Sequence, residues 1–112
     1  MRAAHSPRVL VAEDDSVLAD SVRDALELEG YVVTTVEDGD LSLDLIEDHA
    51  FDVILTNYRM LVMNGMELLT AIREEHPRLP VVMMTGHSTT DLAIQATKKG
   101  AFDYIVKPFE VP

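Results

Sequence analysis

The sequence predicts a doubly wound α/β domain, because short apolar runs alternate with segments of helical spacing along the whole chain. The apolar runs are rich in Val and Ile and do not alternate with polar residues, which is typical of parallel strands buried on both faces. They begin at intervals of roughly 20 to 30 residues, which suits right-handed βα crossovers. A chain of 112 residues is long enough for one domain of this kind.

The apolar runs predict five strands, at residues 9–12, 31–36, 53–56, 81–84 and 102–106. Apolar residues at helical spacing predict four helices between them, marked by Leu18, Leu41, Met66 and Thr90. Gly30 is expected to end the first helix in a left-handed conformation, and Pro77 to end the third. Residues 109–112 stand where a fifth helix should begin, so we expect that helix to be truncated.

The composition disfavours several classes of function. Twenty acidic and nine basic residues give a net charge of −11, which repels nucleic-acid backbones. The absence of cysteine excludes disulfides and thiolate metal sites and suits a cytoplasmic protein. No apolar run approaches the length of a membrane helix. Residues 1–7 lack the apolar segment of a signal peptide, and we expect them to form a flexible lead.

Polar side chains follow four of the predicted strands. Glu13 and Asp14 come after the first strand, Asn57 after the third, Thr85 after the fourth and Lys107 after the fifth. Ligands of open parallel sheets bind at the carboxyl ends of the strands, so these side chains form a candidate site. Hard oxygen ligands suit Mg²⁺, and an ammonium and a hydroxyl opposite them suit a phosphoryl group.

Each of these residues also has a plain structural explanation. The acidic turn of Glu13, Asp14 and Asp15 could only cap the following helix and complement its dipole. Thr85 could be a turn residue, and Lys107 could be a solvated lysine. The convergence of all of them on consecutive strand ends is what favours a functional site.

Four segments, in this order and spacing, resemble the receiver domain of bacterial two-component response regulators. They are VLVAEDD at 9–15, DVILTNYRMLVMNG at 52–65, PVVMMTGHS at 80–88 and KKGAFDYIVKPF at 98–109. The resemblance covers residues 8–112, which are expected to form one receiver domain. The second half is most similar to receivers attached to AAA+ enhancer-binding transcription activators.

The resemblance implies a flavodoxin-like (βα)5 three-layer sandwich with a five-stranded parallel sheet of order 2-1-3-4-5. It implies a sensor histidine kinase as partner and a downstream effector domain, AAA+ and DNA-binding, within a longer regulator. It also implies a homodimer through the fourth helix and fifth strand, including Thr90, Gln95 and Tyr104, with Tyr104 as the aromatic residue that switches on activation. Tyr104 could equally be an ordinary residue of an edge strand.

The resemblance also assigns roles to the residues at the strand ends. Glu13 and Asp14 would hold Mg²⁺ together with the side chain of Asn57 and the backbone carbonyl of Arg59. Thr85 would follow the phosphoryl group into the active state. Lys107 would contact a phosphoryl oxygen and precede a cis peptide bond to Pro108.

Asn57 stands where the family has the aspartate that accepts the phosphoryl group. A carboxamide is a far poorer nucleophile than a carboxylate, so we expect no acyl phosphate here. Loss of one negative charge should weaken the binding of Mg²⁺, since an ion pair at about 4 Å is worth on the order of 4 kcal/mol at an effective dielectric near 20. Asn57 is either an engineered replacement or the mark of a native pseudo-receiver. Leu61, where the family usually has proline, favours the second explanation.

Other interpretations fit less well. A flavodoxin-like flavin or dinucleotide module would need a glycine-rich loop after the first strand, where Glu13 and Asp14 stand instead. An Mg²⁺-dependent phosphohydrolase would have to use Asp14 as its nucleophile, so we expect a signalling module and no enzyme. The four histidines show no metal-ligand spacing, and exposed or capping roles are expected for His5, His49, His76 and His87.

Overall fold

A computed structural model of the chain describes the backbone of residues 6–60, 62–85, 90–101 and 103–106, and the side chains of these ranges except 90–93 and 103–106. Strands and helices alternate along these residues, as predicted. They are β1 (Arg8–Ala12), α1 (Ser16–Leu28), β2 (Val32–Val36), α2 (Gly39–Asp48), β3 (Val53–Asn57), α3 (Gly65–Glu75), β4 (Val81–Thr85), α4 (Thr90–Lys98) and β5 (Asp103–Val106).

The five strands form one parallel sheet in the order β2-β1-β3-β4-β5, which confirms the predicted flavodoxin-like fold. Each strand differs from the prediction by one residue at one end: β1 begins at Arg8, β2 at Val32 and β5 at Asp103, whereas β3 extends to Asn57 and β4 to Thr85. Residues 109–112, where we expected a truncated fifth helix to begin, and most of the predicted N-terminal lead lie outside the described residues. The carbonyl of Pro7, in that lead, accepts a hydrogen bond of 2.9 Å from the backbone N–H of Val32.

The sheet is covered by helices on both faces, and successive strand residues contribute to different cores. Leu10 and Ala12 of β1 pack in a large cluster that also contains Ile46 of α2, Leu68, Leu69 and Ile72 of α3 and Ala96 of α4. Val9 and Val11 point to the other face and pack with Val22 of α1 and Met84 of β4. This alternation explains why the strands carry continuous apolar runs.

Strand β2 is less buried than its apolar sequence predicts. Its residues are partly exposed, and Val32 is 49% exposed. The reason is its position at the edge of the sheet, where β1 is its only neighbouring strand in the described part of the chain.

The predicted helix ends are confirmed where the backbone requires a special residue. Gly30 has a φ of +94°, and its N–H donates to the carbonyl of Glu27. Helix α3 ends at Glu75, and His76 caps it just before Pro77. Among the described residues, no helix has the length and apolar character required to cross a bilayer.

Candidate functional site

Three predicted site residues lie together at the carboxyl ends of neighbouring strands. Glu13 follows β1, Asn57 is the last residue of β3, and Thr85 is the last residue of β4. The parallel register sets Asn57 opposite Met84, next to Thr85, and the backbone N–H of Tyr58 donates to the Met84 carbonyl at 2.7 Å. The side chains of Glu13, Asn57 and Thr85 are almost fully buried. Buried polar groups need partners, so this edge of the sheet has to be a hydrogen-bonded network.

The side-chain amide of Asn57 is the centre of that network. Its Nδ2 donates to the backbone carbonyl of Arg59 at 2.6 Å, to Oε2 of Glu13 at 3.2 Å and to Oδ1 of Asp14 at 3.3 Å. A carboxamide has two N–H groups for these three acceptors, so at least one hydrogen is shared. The amide thus joins the residues after β1 to the loop after β3.

The acidic turn after β1 divides into site residues and a capping residue. Asp15 is the N-cap of α1, and its Oδ1 accepts hydrogen bonds from the backbone N–H groups of Val17 and Leu18. Glu13 also accepts a hydrogen bond of 3.0 Å from the backbone N–H of Asp15 through Oε2. The capping explanation therefore holds for Asp15, whereas Glu13 and Asp14 contact Asn57.

The start of α3 fixes the loop beyond Asn57. Asn64 and Glu67 form a capping box, in which each side chain accepts a hydrogen bond from the other residue's backbone N–H. The backbone N–H of Gly65 donates to the Tyr58 carbonyl at 2.7 Å. This capping box was not among the predicted features, although its signal, an Asn followed three residues later by a Glu, is present in the sequence.

A cavity of about 440 Å³ lies beside the network and is lined by Asp14, Tyr58, Arg59, Met60 and Asn64. Asp14 and Arg59 of this lining, together with the adjacent Glu13, offer two carboxylates and a backbone carbonyl, the hard oxygen ligands that Mg²⁺ prefers. All three oxygens, however, accept hydrogen bonds from the Asn57 amide. The donor set fits a small hard cation, but a bound cation would compete with that amide for the same oxygens.

Several predicted functional residues cannot be placed in the site. Lys107, Pro108 and Leu61 lie outside the described residues. Tyr104 lies in β5 with its backbone paired to Met83, and its side chain is outside the described part of the structure. Likewise only the backbone of Thr90 is described, as the first residue of α4, whereas Gln95 of the same helix is exposed.

Comparison with known proteins connects this arrangement to a family. The family model of the response regulator receiver domain matches residues 9–112. NtrC of Escherichia coli K12, a DNA-binding transcriptional regulator, is 42% identical over 103 residues, which cover 92% of this chain and 22% of NtrC. The response regulator FleR of Pseudomonas aeruginosa is 38% identical, with the same two coverages. The chain thus spans 22% of the length of these relatives.

Solved structures with the same fold include two receiver domains. The receiver domain of NtrX from Brucella abortus has a TM-score of 0.87 and 35% identity, covering 92% of this chain and 88% of that one. The receiver domain of the Francisella response regulator 1452 has a TM-score of 0.90 and 33% identity, covering 95% and 88%.

Gly65 should be needed for the geometry around Asn57. A Cβ atom at this position would overlap the Asn57 carbonyl oxygen and lie 2.7 Å from the Met83 sulfur. We expect Gly65→Ala to lower the free energy of unfolding by about 1–3 kcal/mol, as overpacking does elsewhere. Urea unfolding measures this, with Glu74→Ala on the exposed face of α3 as a control expected to change stability by under about 0.5 kcal/mol. Equal stability of Gly65→Ala and the unsubstituted chain would contradict the close packing.

Proposed function

The chain belongs to the response regulator receiver domain family. From this premise we propose that it is the signal-input domain of a phosphorelay two-component system. We also propose that this domain cannot be phosphorylated at Asn57. It would act as a signalling module rather than an enzyme, in the cytoplasm. The observation that carries this proposal is the Asn57 amide, which donates hydrogen bonds into the acidic group of Glu13 and Asp14.

The position of Asn57 supports its assignment to the phosphoacceptor site. It ends β3 at the carboxyl edge of the sheet, next to the two acidic residues that follow β1 and near the buried Thr85. The anionic carboxylate oxygen of an aspartate at this position could attack a phosphoryl group. The carboxamide of Asn57 has no such oxygen, so it would leave the domain without an acceptor.

The same amide would weaken the binding of Mg²⁺. In this family the ion, when bound, supplies the positive charge that balances the carboxylates and an incoming phosphoryl group; here Glu13, Asp14 and the Arg59 carbonyl would hold it. To offer its own oxygen, Asn57 would have to turn its amide over and give up its hydrogen bonds to these three acceptors. We therefore expect Mg²⁺ to bind this site more weakly than it would with an aspartate at position 57.

Signalling would then depend on protein contacts. Proposed partners are a sensor histidine kinase and a downstream effector domain, AAA+ and DNA-binding, in a longer regulator. A second copy would bind through the face of α4 and β5 that includes Thr90, Gln95 and Tyr104. The net charge of −11 argues against direct contact of this domain with nucleic acid.

Phosphorylation is tested by intact mass after incubation with a small acyl phosphate and Mg²⁺. The unsubstituted chain should gain no mass, because Asn57 offers no nucleophile. Asn57→Asp should gain one phosphoryl group, since the remaining site residues are those of the family. A double variant, Asn57→Asp with Asp14→Asn, is the control and should gain less, because it lacks one metal ligand.

Two results would contradict the proposal. A phosphoryl gain by the unsubstituted chain would place the acceptor on another side chain. No gain by Asn57→Asp would mean that more than position 57 disables the site, with Leu61 the next residue to restore.

The proposed dimer surface is tested by sedimentation velocity. Substituting Gln95 and Tyr104 together by alanine should raise the dimer dissociation constant at least about tenfold, because tyrosines often dominate binding energy at interfaces. The matched control replaces Glu27 and Tyr31, a polar residue and a partly exposed tyrosine near the other edge of the sheet. Unchanged association of the Gln95/Tyr104 variant would refute this surface.

A further inference from the structure

A second group of potential metal ligands lies near the amino ends of the strands, at the opposite end of the strands from Asn57. Glu47 is in the last turn of α2, Glu75 is the last residue of α3, and His76 is the C-cap of α3. One ligand atom from each of these side chains lies within 4.8 Å of the other two. The C-terminal ends of two packed helices thus bring together one imidazole and two carboxylates.

The imidazole of His76 has one buried nitrogen that lacks a hydrogen-bond partner. Its Nε2 atom is buried and has no hydrogen-bond partner within the described ranges. The nearest carboxylate oxygen, Oε1 of Glu47, is 3.8 Å away, which is too long for a hydrogen bond. Ligand atoms on a tetrahedral Zn²⁺ lie about 3.4 Å apart, given bonds of about 2.0–2.2 Å. A small side-chain movement would therefore bring His76 Nε2 and Glu47 Oε1 to the separation that two ligand atoms have on one metal ion.

The two carboxylates lie as close together as ligands of one cation. The hydrogen bond with Glu47, together with its negative charge, raises the pKa of Glu75. When both carboxylates are ionised they repel each other, and a divalent cation between them would neutralise both charges at once.

The surrounding structure adds further negative potential. The C-terminal ends of α2 and α3 carry the negative ends of their helix dipoles, and α2 has no basic residue in its last turn. One nearby cation, Arg73, donates hydrogen bonds to the backbone carbonyls of Gly100 and His76. Its guanidinium is therefore committed to carbonyl groups and does not form a salt bridge with Glu47 or Glu75 among the pairs described.

A cavity reaches one member of the group, His76. It has a volume of about 470 Å³, and its other lining residues include Ile46, His49, Phe51 and Arg78. It is large enough for a hydrated ion and for the waters that would complete the coordination of a three-ligand site.

We propose that Glu47, Glu75 and His76 form a binding site for a divalent first-row transition metal ion of the Zn²⁺ class. Imidazole nitrogen with two carboxylate oxygens suits such ions, whereas Mg²⁺ and Ca²⁺ prefer oxygen ligands throughout. A bound ion would link the C-terminal end of α2 to that of α3. The site is independent of the proposed signalling role, since none of its ligands contacts Asn57 or its neighbours.

The test is a titration of the full chain with Zn²⁺, followed by the NMR resonances of the imidazole nitrogens. His76 should respond at lower Zn²⁺ concentration than His5, His49 and His87. His76→Gln and Glu47→Gln should each weaken Zn²⁺ binding at least about tenfold. His49→Gln is the matched control: this histidine caps α2 and lines the same cavity, but it lies outside the ligand group, so the affinity should not change.

Thermal unfolding provides a second readout that does not depend on NMR assignment. Zn²⁺ should raise the Tm of the unsubstituted chain and of His49→Gln, because it binds the folded state, and should leave the Tm of His76→Gln unchanged. Equal Zn²⁺ affinity in the unsubstituted chain and His76→Gln would overturn the proposal. So would a first response at His5 or His87, which would indicate surface binding elsewhere.

Discussion

The hydrogen bonds of the Asn57 amide are the interaction on which the carboxyl edge of the sheet depends. One NH₂ group donates to oxygens of Glu13, Asp14 and Arg59, which come from two separate segments of the chain. Glu13 is 2% exposed, and a carboxylate so deeply buried is costly unless it is hydrogen-bonded or paired with a cation. The amide supplies hydrogen-bond donors where the family would place a metal ion. The acidic group is thereby satisfied by the chain itself.

The fold holds this amide in place from both sides. Strand β3 lies between β1 and β4: its last residue, Asn57, pairs with Met84 of β4, and the residue before it, Thr56, pairs with Ala12 of β1. Beyond it, the Asn64–Glu67 capping box and the close packing of Gly65 against the Asn57 carbonyl fix the loop that leads into α3. The geometry of the site is thus a consequence of strand register and helix capping.

The strands and helices could be predicted because their signals are local and repeated. Continuous Val and Ile runs indicate buried parallel strands, and the glycine at position 30 does end α1 with a positive φ. The exposure of β2 is not visible in its apolar run, but it follows from the predicted strand order, which places this strand at the edge of the sheet. The contacts of Asn57 with Glu13 and Asp14 depend on side-chain orientation across about 44 residues of chain, which no spacing rule contains. The grouping of Glu47 with Glu75 and His76 escapes sequence analysis for the same reason, since it depends on how α2 packs against α3.

The most direct test of the central claim is the free energy of unfolding as a function of Mg²⁺, for the unsubstituted chain and for Asn57→Asp. If the amide takes the place of a cation, the stability of the unsubstituted chain is nearly independent of Mg²⁺. Asn57→Asp should be about 1–3 kcal/mol less stable without Mg²⁺, because it loses the amide donors and adds a third carboxylate, and it should regain stability as Mg²⁺ binds. An equal rise in stability of both proteins with Mg²⁺ would contradict the account.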